Sequence, residues 1–166
     1  NILTNLKEIK NKLIKKENFY FLAIILLIFS IDRYSKIEII NNYSNQSFYL
    51  NSFINFDLIW NTGIGFGILS SSSSLIYNFI SFLIFGVIIL LGYYYFQSDK
   101  YEKFIFSIII GGAIGNFYDR FFFNAVPDFI DFHIGNFHWF TFNLADVFIT
   151  FGIIAIFIKG FFIKNS

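Results

Sequence analysis

The sequence predicts an all-α integral membrane protein: a single domain over residues 1–166 with four transmembrane helices and weak strands in its first outer loop. Three observations carry that reading. At 56% hydrophobic and 14% charged residues, with a mean hydropathy of +0.62, the chain is too poor in charge to solubilise a globule of its size. Its apolar runs recur at about the length needed to cross hydrocarbon, which places spans near residues 19–40, 75–96, 104–120 and 143–163. Lysines gather at both ends of the chain and in one short connection, while outer loops 41–74 and 121–142 contain none.

The first span follows a basic flank in which Lys7, Lys10, Lys12, Lys15 and Lys16 outnumber Glu8 and Glu17. By the positive-inside rule this end is cytoplasmic. Phe19 to Ile31 is an apolar run of 13 residues broken only by Ser30, the length of a signal-peptide core, but no small-residue cleavage site follows and three more hydrophobic segments come later. Thirteen residues cannot cross about 30 Å at about 1.5 Å each, so the helix must continue through Asp32 and Lys36 toward Ile40. Asp32 and Lys36 are four apart with the acid first, the favourable order on one helical face. Two readings stay open for them: a structural ion pair with Lys36 snorkelling outward, or a direct role in a site.

In the first outer loop, short alternating pieces at Phe48, Leu50 and Phe53 to Leu58 read as weak strands. Asn61 then opens NTGIGFGIL, where Gly63, Gly65 and Gly67 permit close backbone approach, either to an extended ligand or simply to a hairpin lying on the membrane. The serine run from Ser70 to Ser74 is a polar connector and helix cap. Leu75 to Phe96 is 22 residues without a charge and ends in three tyrosines at an interface. QSDKYEK, from Gln97 to Lys103, is a cytoplasmic turn.

The third span runs outward from about Phe104, and Gly111, Gly112, Ala113 and Gly115 form a small-residue face for a neighbouring helix. Asn116, Asp119 and Arg120 lie at its outer end. The second outer loop holds Asp128, Asp131, His133 and His138, and the last span returns inward to Lys159 and Lys164. Both termini are therefore cytoplasmic.

Carboxylates beside hydrocarbon are costly and mark function by default. Asn143, three residues before Asp146, reads as a helix N-cap, and the helix dipole favours the acid there. Asp128, eighteen residues before Asp146, is the acid best placed to fold back beside it. Two carboxylates in one site split their protonation, so that one activates water while the other donates a proton, which is the chemistry of an aspartyl protease. Competing machinery is missing: the chain has no Cys, no HExxH, no GxSxG and no GxGD. His133 and His138 stand without a suitable third ligand and read as polar interfacial residues rather than a metal site.

Five blocks in order, DRYSK (Asp32 to Lys36), NTGIGFG (Asn61 to Gly67), GGAIGNFYDR (Gly111 to Arg120), VPDFIDF (Val126 to Phe132) and FNLADVFITFG (Phe142 to Gly152), resemble the bacterial lipoprotein signal peptidases, signal peptidase II, across nearly the whole chain. The resemblance implies an intramembrane aspartyl endopeptidase of the bacterial cytoplasmic (inner) membrane. Such an enzyme removes the signal peptide from diacylglyceryl-modified prolipoproteins, cutting before the lipidated cysteine. It implies catalytic residues Asp128 and Asp146, with Asp32, Lys36, Asn61, Gly112, Asn116, Arg120 and Asn143 as substrate-binding or structural support. It implies no metal or cofactor, a small extracytoplasmic β-cradle in the first outer loop, an active site on the outer side of the membrane, and inhibition by globomycin-type cyclic peptides.

Pro127, where the family pattern has an apolar and often β-branched residue, departs from it, as do Ile64 and Gly65 before Phe66. By the same resemblance Asp119 and Asp131 take structural roles, Asp119 tempering Arg120 and Asp131 as a wet loop acid. The alternative class is a small proton-coupled transporter or channel subunit, which internal repeats and midplane polar residues would mark; neither is visible. A third reading, a non-catalytic assembly protein, predicts that Asp128→Asn and Asp146→Asn leave function intact.

Overall fold

The structure is a computed structural model that describes residues 15–44, 46–63 and 74–164. The basic flank before Lys15, and the glycine and serine stretch from Ile64 to Ser73, lie outside the described residues. Among the described residues four long helices carry the fold: α1 (Lys16–Tyr43), α2 (Ser74–Gln97), α3 (Lys100–Phe123) and α4 (Leu144–Lys164). Strands β1 (Phe48–Tyr49) and β2 (Ile54–Asn61) follow α1, and β3 (Val126–Ile134) and β4 (Phe137–Phe142) follow α3.

The four helices lie over the four apolar segments read from the sequence, with ends that differ by up to four residues. α1 has 28 residues, or about 42 Å at 1.5 Å per residue, so it runs well past the apolar core that starts it. α3 begins at Lys100 rather than near Phe104, because Asp99 caps it by accepting from the Glu102 N–H at 2.9 Å. It ends when Asn124 takes the left-handed conformation at φ 56°. α2 over Leu75–Gln97 and α4 over Leu144–Phe162 are long and apolar enough to cross a membrane.

The expectation of a β-cradle confined to the first outer loop is corrected. The sheet has four antiparallel strands in the order β1-β2-β3-β4, and half of it comes from the segment 121–142, expected to be an outer loop. β2 pairs along β3 from Ile54 opposite Phe132 to Asn61 opposite Val126. Pro127 fits because β4 reaches only to Ile130, so at Pro127 the strand has β2 on one side and, among the described residues, no ladder partner on the other.

Burial is inverted relative to a water-soluble globule. Phe82 and Phe157 are about three-quarters exposed, while Asp32, Lys36, Asp119 and Asn143 are fully buried. An apolar exterior around a polar interior suits a protein solvated by lipid, where a buried charge must find its partner inside the bundle. α1 and α4 pack on α3, as does α2; α2 and α4 scarcely meet, and a groove is left between them. Phe21, Tyr95 and Ile110 form the apolar contact of the first three helices.

The small residues of α3 serve two neighbours rather than one: Gly111 and Gly115 lie against α1, and Gly112 against α4. A methyl group at Gly112 would stand 2.7 Å from the Ala145 carbonyl, and one at Gly115 would overlap the Asp32 carboxylate. Gly115→Ala is therefore expected to displace Asp32 and destabilise the protein by about 1–3 kcal/mol, the usual cost of overpacking. Thermal unfolding in detergent measures it, and an unchanged midpoint would contradict the close approach.

Candidate active site

Asp146 begins α4 through a reciprocal cap. Its N–H donates to Asn143 Oδ1 at 3.1 Å, and its Oδ2 accepts from the Asn143 N–H at 3.3 Å. This local pairing needs only the Asn-x-x-Asp spacing. Its Oδ1 accepts from Asn116 Nδ2 at 2.8 Å, which reaches over from α3.

Asp128 comes from the third residue of β3. Its Oδ1 accepts from Asn143 Nδ2 at 2.6 Å, and its Oδ2 accepts from Asn61 Nδ2, at the end of β2, at 2.8 Å. Asn143 thus touches both acids: its side-chain oxygen caps the helix that carries Asp146 while its side-chain nitrogen holds Asp128. Burial first, and then the neighbouring Asp146 charge, push the Asp128 carboxyl up to about 7, against which the hydrogen bonds from Asn61 and Asn143 act. A carboxyl raised in this way contributes stability that is complete below its ordinary value of 3.8 and is lost as pH rises through about 7.

Behind the pair lies a buried ionic cluster. Lys36 Nζ donates to Asp32 Oδ2 at 2.8 Å, to Asp119 Oδ2 at 2.7 Å and to Asn116 Oδ1 at 2.9 Å. Lys36 therefore does not snorkel outward, as one of its two sequence readings had it. Three acceptors from two helices hold it inside. Asp32 also accepts from the Ala145 N–H at 3.0 Å, which fixes the first turn of α4 against α1. Since Asn116 takes Lys36 on its oxygen, its nitrogen is left to face Asp146, and the cluster orients the amide that holds the acid.

Asp119 does not temper Arg120, its sequence neighbour. It pairs with Lys36 and with Arg33, whose guanidinium also lies over the Tyr118 ring. Arg120 instead donates to the Gly63 carbonyl, and its own carbonyl accepts from Tyr77 Oη at 2.8 Å. Arg120 Nε and Nη1 are buried with no hydrogen-bond partner among the described residues. Asp131, expected to be a wet loop acid, is buried and accepts from His138 Nδ1 at 2.7 Å. Local sequence gives no mark of Arg33 or Tyr77; Arg33 has only its place beside Asp32, on a helix predicted to run inside the membrane.

Asn116, Arg120 and Asp146 line one end of a cavity of about 540 Å³ whose remaining wall is apolar but for Thr150, with Leu83 and Val87 from α2 and Ile149 and Ile153 from α4. It is the groove left where α2 and α4 fail to meet. An elongated, largely apolar ligand with one polar segment at Asp146 matches such a lining.

The likeness to known proteins is extensive. The family model described as signal peptidase (SPase) II matches residues 24–162. A lipoprotein signal peptidase of Pelagibacter ubique (strain HTCC1062) is 44% identical over 157 residues, covering 92% of this chain and 95% of that protein. The lipoprotein signal peptidase of Francisella tularensis subsp. mediasiatica (strain FSC147) is 39% identical over 162 residues, covering 94% and 99%. Two solved structures of bacterial membrane enzymes, determined by the in meso method, superpose with TM-scores of 0.73 and 0.69 at 29% and 30% identity. Each covers 84% of this chain; the chain in turn covers 86% and 91% of them.

Proposed function

Because the chain belongs to the signal peptidase II family, membrane proteases of lipoprotein processing, we propose that it works as an aspartyl endopeptidase with Asp128 and Asp146 as its catalytic pair. Its substrate is a diacylglyceryl-modified prolipoprotein, cut immediately before the lipidated cysteine. The observation that carries this reading is the bridge made by Asn143, which joins Asp128 on a strand to Asp146 on a helix at the end of an apolar groove.

In the proposed reaction the ionised carboxylate of the pair takes a proton from a water molecule, whose oxygen attacks the scissile carbonyl. The protonated partner donates to that carbonyl oxygen; as the tetrahedral intermediate collapses and its C–N bond breaks, the first acid passes the water proton to the leaving amine and a gem-diol hydroxyl returns its proton to the second. The two acids titrate as a pair. Arg120, with two donors left over beside the groove, binds a backbone carbonyl of the extended substrate. No metal takes part in this chemistry.

All four helices span the bacterial inner membrane in this reading, in one domain with spans near 19–40, 75–96, 104–120 and 143–163. Both termini are cytoplasmic, and the sheet and the acids are on the outer side. Substrate reaches the acids laterally through the groove between α2 and α4, since its acyl chains and signal helix prefer hydrocarbon. Cross-links from the substrate lipid appearing only on the aqueous strands would count against that route. Globomycin-type peptides inhibit by occupying the same groove.

The test is incubation of the purified protein with a diacylglyceryl-modified lipobox peptide and mass spectrometry of the products. One cut before the modified cysteine, absent with the unmodified peptide, supports the reading; no cut under any condition overturns it. The pH profile of kcat/KM is a further check. With the Asp128 carboxyl raised to about 7, the protonated member is lost as pH rises past that value, and kcat/KM is expected to fall about tenfold per pH unit on the alkaline limb. A rate that stays flat from pH 6 to about pH 9 would contradict it.

A further inference from the structure

We propose that Asp131, His133 and His138 form a binding site for a divalent transition-metal cation, zinc(II) by preference, on the β3–β4 hairpin. The inference does not depend on the proteolytic reading. The sequence shows two histidines five residues apart and no third ligand; the fold supplies one. Asp131 and His133 are two apart on β3 and so project from the same face of the sheet. His138 joins them through an irregularity in β4. Phe132 pairs with Phe140, but the next residue, His133, pairs with His138, so Trp139 is the extra residue of a bulge. In an unbroken ladder Trp139 would stand opposite His133 and His138 would project from the other face. Gly135, at φ 60°, takes the first position of the two-residue turn between Ile134 and Phe137 that closes this register.

The donor atoms of the three residues lie within 4.8 Å of one another. His138 Nδ1 is 2.7 Å from Asp131 Oδ2, and His133 Nδ1 is 3.8 Å from that same oxygen. Metal–ligand bonds of about 2.0–2.2 Å at tetrahedral angles separate donors by about 3.3–3.6 Å, a spacing that these two distances bracket. Small movements of two rings therefore complete the site. His133 supplies an independent sign of a ligand. It is only 6% exposed, yet its Nδ1 has no hydrogen-bond partner among the described residues, an arrangement that is costly unless something else satisfies that nitrogen.

Two imidazoles and one carboxylate select a borderline ion such as Zn²⁺ over Mg²⁺ or Ca²⁺, which take oxygen ligands. Three protein ligands leave the fourth position to water. Coordination through His138 Nδ1 places that ring's proton on Nε2. The His138 side chain is 57% exposed while Asp131 and His133 are buried beneath it, so the ion has a way in and a floor to rest on. Asp131 is the third residue after Asp128 on the same strand, so a bound ion would stiffen the hairpin that carries that acid without touching it.

The experiment uses the full chain in detergent micelles, purified without a histidine tag and stripped with a chelator. Zn²⁺ is titrated by calorimetry, and Co²⁺ by the visible absorption that reports tetrahedral ligand geometry. One equivalent of Zn²⁺ is expected to bind, with Mg²⁺ in excess failing to compete. His138→Ala and His138→Phe, at an exposed position where folding is retained, should weaken Zn²⁺ by at least about tenfold. Zn²⁺ should also raise Tm in the parent protein and not in either variant. Absence of saturable Zn²⁺ binding, or variants that bind within about threefold of the parent, would overturn the site.

Discussion

Asp128→Asn and Asp146→Asn are each expected to lower kcat on a diacylglyceryl-modified lipobox peptide by about 10³-fold or more, with KM little changed, because in the proposed mechanism each removes a group that moves a proton in the transition state. The geometry makes the two variants informative in different ways. Both oxygens of Asp128 accept from side-chain amides, those of Asn61 and Asn143. An asparagine at 128 must therefore turn its own NH₂ toward a donor, and a modest loss of stability should accompany the loss of activity. At Asp146 one oxygen accepts from Asn116 and the other from the Asn143 backbone, so the same conflict falls on the helix cap. Thermal unfolding must accompany the kinetics, and matched Tm values with lost turnover would isolate the chemical role. Either variant retaining activity within about tenfold of the parent protein would remove that acid from the pair. Asp119 and Asp131 would then be the carboxylates to test.

Lys36→Met is expected to be the most damaging substitution for stability, at about 3–5 kcal/mol, the cost of stripping one partner from a buried ionic cluster. Lys36 has no exposed surface, and neither do the two carboxylates it holds, Asp32 and Asp119. Methionine fills a similar volume but, among the described residues, leaves Asp32 without a cation and Asp119 with Arg33 alone. The double variant Lys36→Met with Asp32→Asn should recover part of the loss, since it also removes the orphaned charge. Thermal unfolding of the three proteins measures this. A single variant within about 1 kcal/mol of the parent would show that the cluster is not structural. Whatever fraction folds should also turn over poorly, because Asn116 would no longer be held with its nitrogen toward Asp146.

The helical part of this architecture is readable along the chain because its causes are local. Twenty-two uncharged residues from Leu75 leave the backbone few ways to satisfy itself in lipid, and α2 spans Ser74–Gln97. The Asn143 and Asp146 cap is a matter of three-residue spacing, and it is present as read. The Asp32 and Lys36 contact likewise follows from helical spacing, though not its surroundings.

What the local sequence leaves undecided depends on contacts between distant segments. Asn61 and Asp128 are brought together by pairing β2 with β3, a ladder whose register no local period specifies. For that reason the sheet was expected in one loop and is built from two. Lys36 can stay inside only because Asn116 and Asp119, some 80 residues along the chain, turn toward it. Without those acceptors, its flexible stem would carry the charge outward.

The same distinction separates the acids. Apolar runs, lysine placement and spacing within a helix are properties of neighbouring residues, so the sequence by itself determined the helical segments and the cap at Asp146, and offered Asp128 as the acid to set beside it. Which carboxylate meets which partner is a property of the closed bundle. Only the tertiary structure decided that Asp119 goes to Lys36 and Arg33 rather than to Arg120, and that a bulge at Trp139 turns His138 toward Asp131. A charge removed from water must be satisfied by whatever the packed chain brings within about 3 Å, and that neighbour is chosen by the packing of elements far apart in sequence.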